Sequence, residues 1–157
     1  MNARFALLMT GLLCAGAAMA GDAGQVAASH GWIRVMPGAL PAGGYVVLEN
    51  HGDRAVSLSA ASSPAYAEVM LHKSSTDTGM GRMEKVDALS IPAHGKAALS
   101  PGGYHLMLMK PAAAVLPGNR VQMQLQFDDG SSLPVDFVAR PANALGDEAP
   151  ASAHSGH

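Results

Sequence analysis

Cysteine is almost absent from this chain of 157 residues, which carries Cys14 and no other. A single thiol excludes a framework of internal disulfides. Aromatic residues make up only 4%, which weakens the case for stacking surfaces that bind bases or sugars. Charge is sparse too: 10 Lys and Arg against 12 Asp and Glu leave no basic stripe for nucleic acid. What the chain has in excess is methionine, with 10 residues, and histidine, with 7.

The N-terminus has the pattern of an export signal. Arg4 supplies the positive charge, residues 5–18 form the apolar run, and Ala18-Met19-Ala20 matches the A-x-A cleavage rule. The apolar run is shorter than the roughly 20 residues that a membrane helix needs. We therefore predict a signal peptide over residues 1–20, cleavage after Ala20, and a periplasmic protein with no membrane span after cleavage.

Cleavage changes the composition that matters. Cys14 is lost with the signal peptide, and Leu13 before it is larger than the residue that a lipoprotein signal requires at that place. The remaining 137 residues contain no thiol, seven Met and seven His. A chain of this length can bury about two-thirds of its surface, so we expect a packed core to stabilise it.

Short apolar runs separated by Gly, Pro, Asn and Asp predict an all-β fold of the sandwich or barrel type. No long segment has a helical period. The domain is expected to span residues 21–140. The tail, 141–157, has almost no large apolar residue and is predicted to be flexible. The predicted strands are 32–36, 44–49, 55–59, 67–74, 81–86, 96–99, 105–109, 121–127 and 133–139.

Two histidines and two methionines form the candidate site. In a strand, His105 and Met107 share one face, while Leu106 and Leu108 take the other and suit the core. A hairpin centred between residues 77 and 78 places His72 and Met83 directly opposite each other, although a bulge at one of the nearby glycines could shift that register.

The donor types select the metal. Two imidazoles and two thioethers are neutral, and thioether is a soft ligand that suits Cu(I). Calcium and magnesium prefer oxygen ligands, and zinc sites use Cys, His or carboxylate. A blue-copper electron-transfer site needs a Cys thiolate, which the exported chain lacks.

Other histidines and methionines have ordinary interpretations. The loop histidines His30, His51 and His94 are expected at the surface, and Met36 and Met123 in the core. Met70 shares a face with His72 and fits either the site or the core. Met80, in the turn, is a candidate fifth donor.

The spacing of the four residues resembles the periplasmic copper chaperone family PCuAC. Its pattern, H-x10-M-x21-H-x-M, is matched without a gap by His72, Met83, His105 and Met107. The segments around Trp32, the run from Gly44 to Asn50, and Pro101-Gly102-Gly103 before the H-x-M agree with it. The resemblance covers roughly residues 28–140. It implies a cupredoxin-like or immunoglobulin-like Greek-key β-sandwich with one exposed Cu(I) site.

The resemblance also implies a role, namely delivery of copper for cytochrome oxidase assembly. The implied acceptors are the copper subunit of the oxidase or a thiol-bearing Sco-type assembly protein. We expect a monomer and no enzyme activity, because no nucleophile–base set is present. Copper sequestration for metal tolerance through the same site is the alternative, and sequence cannot separate the two. His154 and His157 in the tail are candidates for additional Cu(II), as in relatives with metal-binding C-terminal extensions.

Overall fold

The computed structural model describes residues 21–76 and 79–147. The predicted signal peptide and the tail histidines, His154 and His157, lie outside the described residues. The expected all-β class is confirmed: the described residues form ten strands and a 3₁₀ turn at Asp22–Gln25, with no α-helix among them. In this part of the chain, no helix is long and apolar enough to cross a membrane.

The strands vary in length from three to ten residues. In chain order they are β1 (Val26–Arg34), β2 (Ala42–Asn50), β3 (Val56–Ser62), β4 (Tyr66–Ser75), β5 (Arg82–Lys85), β6 (Leu89–Ile91), β7 (Lys96–Leu99), β8 (Tyr104–Pro111), β9 (Arg120–Phe127) and β10 (Ser132–Arg140).

Hydrogen bonds join all ten strands into one continuous sheet. Its order is β5-β4-β8-β2-β1-β10-β9-β3-β6, and β7 pairs with β2 beyond the end of β8. Only β1 and β10 pair in parallel. The sheet folds over itself, since β3 contacts β4 and β6 contacts β7 without pairing with them. The result is a β-sandwich around a single core.

Period-two alternation decides which side chains enter that core. In β9, Val121, Leu125 and the predicted core residue Met123 are buried, while the intervening glutamines face away. In β8, Leu106 and Leu108 are almost fully buried. Each such leucine contributes roughly 1.5–3 kcal/mol through burial, so β8 is held firmly in this orientation. The residues that alternate with these leucines must lie on the opposite face of β8.

Two strands differ from the prediction. The first strand begins at Val26 rather than near residue 32, and its register against β2 shifts between Ser29 and Trp32. His30 in this interval has a positive φ of 54°, which interrupts the alternation of inward and outward side chains from which a strand is predicted. The three-residue strand β6 was not predicted, because a segment that short shows no period.

The residues after β10 remain in contact with the domain. The Arg34 guanidinium donates to the carbonyl of Ala144 at 2.8 Å, and the Arg140 guanidinium donates to the carbonyl of Asp147. His30 Nδ1 lies 2.8 Å from a carboxylate oxygen of Asp147. The segment 141–147, which begins the predicted flexible tail, therefore packs against the ends of β1 and β10.

Asn50 is fully buried at the end of β2 and ties three segments together. Its amide donates to the carbonyls of Arg54 and Ile91, and its oxygen accepts from the backbone N–H of Gly52. We predict that Asn50→Ala lowers the free energy of unfolding by about 3 kcal/mol, because it leaves buried backbone groups unpaired. Urea unfolding measures this, with the exposed Asn143→Ala as the control. A change within about 0.5 kcal/mol would contradict the assignment.

Candidate metal site

The β4–β8 pairing brings the two predicted histidine ligands together. His72 lies directly opposite His105, and Met70 lies directly opposite Met107. The imidazole centroids are 5.8 Å apart and the rings are nearly perpendicular. Two residues that are 33 positions apart in the chain thus become cross-strand neighbours on the face that β8 turns away from the core.

The imidazole of His105 is oriented by a backbone contact. Its Nδ1 lies 3.2 Å from the carbonyl oxygen of Gly103, which can only accept, so Nδ1 carries the proton and donates. The other nitrogen, Nε2, is then left with its lone pair free. A hydrogen bond of this kind fixes the tautomer and ring orientation of metal-binding histidines.

Both histidines present a buried nitrogen that lacks a hydrogen-bond partner. Among the described residues, three buried side-chain nitrogens are in this position: His72 Nδ1, His105 Nε2 and Arg34 Nε. Leaving a buried polar atom unpaired costs about 1–3 kcal/mol, so two such atoms on adjacent imidazoles call for an explanation. A metal ion bound between them would satisfy both lone pairs.

Methionine side chains complete the surroundings. Met107 and Met83 line, with His105, an open depression of about 300 Å³ on this face. Met107 is half-buried, whereas Met83 is 54% exposed on the short strand β5. The depression therefore has a shielded imidazole and thioether on β8 and a more accessible thioether at its edge.

The hairpin register differs from the predicted one. Met83 pairs with Ser74 and His72 with Lys85, so the strands are displaced by two residues. The turn is closed by the N–H of Gly79, at φ 75°, donating to the carbonyl of Thr76. Because the displacement is even, Met83 keeps the same face as His72. It becomes a diagonal neighbour, at a spacing of roughly 7–8 Å, which a methionine side chain can span.

An aromatic and cationic wall borders the depression on its other side. The Trp32 and Tyr45 rings pack at a tilt of 38° with centroids 4.6 Å apart, and the Arg34 guanidinium lies 5.3 Å from the Trp32 ring centroid. Burial raises the pKa of the Tyr45 phenol, and Arg34 partly opposes that rise. This phenol therefore stays neutral. The depression has no carboxylate among its lining residues.

Comparison with known proteins identifies the family of this chain. Residues 26–139 match the LpqE-like family, described as putative lipoprotein LpqE-like. The chain belongs to this family. A curated relative, the putative lipoprotein Lxx21020 of Leifsonia xyli, is 31% identical over 115 residues, covering 73% of this chain and 69% of the relative.

Solved structures share the fold. The apo PCuAC domain of PmoF2 superposes with a TM-score of 0.65 at 22% identity, covering 78% of this chain and 95% of that domain. The solution structure of CuI-DR1885 from Deinococcus radiodurans has a TM-score of 0.59 at 29% identity, covering 76% of this chain and 78% of that one. The resemblance to PCuAC found in the sequence is thereby confirmed.

The loop histidines and Met80 lie outside the depression. His30, His51 and His94 are exposed, and His94 Nε2 contacts a carboxylate oxygen of Asp53 at 2.8 Å. Met80, the candidate fifth donor, is 77% exposed and is not among the residues lining the depression. Within the described ranges, no three His, Cys, Asp or Glu side chains form a metal cluster.

The predicted core position is wrong for Met36 and confirmed for Met123. Met123 is fully buried in the core as predicted. Met36 is half-buried and lines the same depression as Met83, His105 and Met107. The error came from extending the first strand to residue 36, whereas β1 ends at Arg34. The signal that could have found it is the following Pro37-Gly38 pair, which places Met36 in a loop.

The charge state of His72 leads to a pH prediction. Burial, followed by the charges of His105 and Lys85, lowers the pKa of His72 below its ordinary value. Below about pH 6.5, the ordinary pKa of histidine, the unfolded chain therefore binds more protons than the folded one. The free energy of unfolding decreases as the pH falls through this range. Metal-free His72→Gln should lose less unfolding free energy between pH 7.5 and 5 than the unchanged protein. If urea titrations show that the variant and the unchanged protein lose the same unfolding free energy, the prediction is wrong.

Proposed function

We propose that this protein is a periplasmic chaperone that binds Cu(I) through His72, Met83, His105 and Met107 and delivers it to another protein. One observation carries the proposal: the facing imidazoles of His72 and His105 each have a buried, unpaired nitrogen, and His105 lines one open depression together with Met83 and Met107. This donor set is neutral and soft, which favours Cu(I) over hard cations. Two similar solved structures support it, the copper-bound PCuAC domain from PmoF2 and CuI-DR1885 from Deinococcus radiodurans.

The geometry suits exchange better than permanent retention. Met83 stands at the exposed edge, on a strand of which every residue is exposed. A ligand from an acceptor protein can approach at this edge and replace the thioether while the shielded imidazole of His105 still holds the ion. Stepwise replacement avoids releasing free Cu(I), which is what delivery requires.

The proposed acceptors follow from the resemblance to PCuAC. They are the copper subunit of cytochrome oxidase or a thiol-bearing Sco-type assembly protein. Export by a cleaved signal peptide over residues 1–20 is part of the proposal, and the lipoprotein names of the family and of the Leifsonia relative support export. We propose no catalytic step, and additional Cu(II) at His154 and His157 remains a proposal for the tail.

The ligand assignment predicts selective losses of affinity. Competition with a chromogenic Cu(I) chelator should show His105→Ala and Met107→Leu weakening binding at least about 100-fold, more than losing an outer-shell partner costs. Met107→Leu nearly preserves volume, so its effect reports the thioether rather than packing. Met80→Leu, at an exposed residue that does not line the depression, is the control and should leave this affinity unchanged.

The same titration can refute the assignment. A quadruple variant of all four ligands that still folds, as judged by circular dichroism, and binds Cu(I) with unchanged affinity would show that the ion lies elsewhere. A Met80→Leu variant that loses as much affinity as Met107→Leu would make Met80 a ligand.

Delivery and sequestration predict different phenotypes. A deletion strain grown in limiting copper should lose cytochrome oxidase activity, and added copper should restore it, because delivery matters most when the metal is scarce. Complementation with the His105→Ala, Met107→Leu double variant should fail, and complementation with Met80→Leu should succeed. Normal oxidase activity combined with sensitivity to high copper would favour the sequestration alternative.

A further inference from the structure

Met36 borders two neighbouring cavities rather than one. The first is the depression that Met83, His105 and Met107 line beside His72, and Met36 lines it with them. The second, of about 280 Å³, lies beside it and is lined by Met36 and Met109. Both cavities also include Ala42 at the start of β2, so they meet along the loop that joins β1 to β2.

The strand geometry sets the spacing between these thioethers. Met107 and Met109 alternate with the buried Leu106 and Leu108, so both lie on the outward face of β8. Their Cα atoms are separated by roughly 6.6–6.8 Å along the strand. Met36 approaches from the loop that covers this part of β8. Methionine has three rotatable side-chain bonds, so Met36 can turn toward either neighbour without backbone movement.

The donors of the second cavity suit a soft ion rather than a hard cation. Its wall is mostly apolar, including Leu40, Val115 and Leu116. The one charged residue of its lining, Lys110, is already paired with the carboxylate of Glu68. Hard cations need oxygen ligands, whereas thioethers take Cu(I) and its redox-stable analogue Ag(I).

We propose that Met36 and Met109 form a second, weaker binding position for a soft monovalent ion, Cu(I) or Ag(I), adjacent to the four-ligand site. The proposal extends the proposed function and rests on it for the identity of the natural ion. The position lies between the four-ligand site and the surface at Leu40 and Leu116, which are 59% and 60% exposed. An ion that enters or leaves on this side keeps thioether contacts along the way.

Silver titration followed by NMR of methionine methyl groups tests the proposal. The purified protein is labelled with methyl-13C methionine, and resonances are assigned with single Met→Leu variants. The first equivalent of Ag(I) should shift the methyls of Met83 and Met107. The second equivalent should shift those of Met36 and Met109. Met109→Leu should weaken the second binding event at least about tenfold and leave the first unchanged, while Met80→Leu, the exposed control, should alter neither.

Each other outcome has a defined meaning. If the first equivalent leaves Met83 and Met107 unshifted, the proposed function itself fails. If they shift but Met36 and Met109 do not move with further silver, the four-ligand site stands and the second position is refuted. If Met36 shifts together with Met107 in the first equivalent, Met36 is a fifth ligand of the same site, which also overturns a separate position.

Discussion

The site depends on the pairing of β4 with β8. The burial of Leu106 and Leu108 fixes which face of β8 meets the core, and alternation then forces His105 and Met107 onto the other face. The register against β4 sets His72 opposite His105. A slip of one residue in this register would put the two histidines on opposite faces of the sheet, so the burial of the core leucines also fixes the geometry of the site.

That face is unusual because its imidazoles are partly removed from water without being paired. His105 is only 6% exposed, and its one hydrogen bond, to Gly103, leaves the Nε2 atom free. Burial and neighbouring positive charge lower the pKa of His72, which keeps its lone pair available. Neutral imidazoles and thioethers can bind a soft ion, while a hard cation gains less from them. The selectivity proposed for the site thus follows from desolvation and donor type together.

Much of the fold was predictable because its strands are short and alternate cleanly. Nine strands were located, and in β7 both ends were correct at Lys96 and Leu99. The failures occur where the local period is interrupted or too short. The positive φ at His30 interrupts the alternation in β1, so the beginning of this strand was not predicted. The three residues of β6 are too few to show a period. Misplacing the end of β1 then put Met36 in the core instead of beside the site.

Sequence alone determined the donor chemistry of this protein. The H-x10-M-x21-H-x-M spacing and the alternation in β8 indicated soft, neutral side chains, the proposed ligands, on one strand face. Tertiary structure decided the rest: the two-residue displacement that makes Met83 a diagonal neighbour of His72, the burial of His105, and the loop that brings Met36 to Met107 and Met109. These features depend on turn geometry and on contacts between segments far apart in the chain. Local patterns fix which way a side chain points, and only the packed fold fixes what lies opposite it.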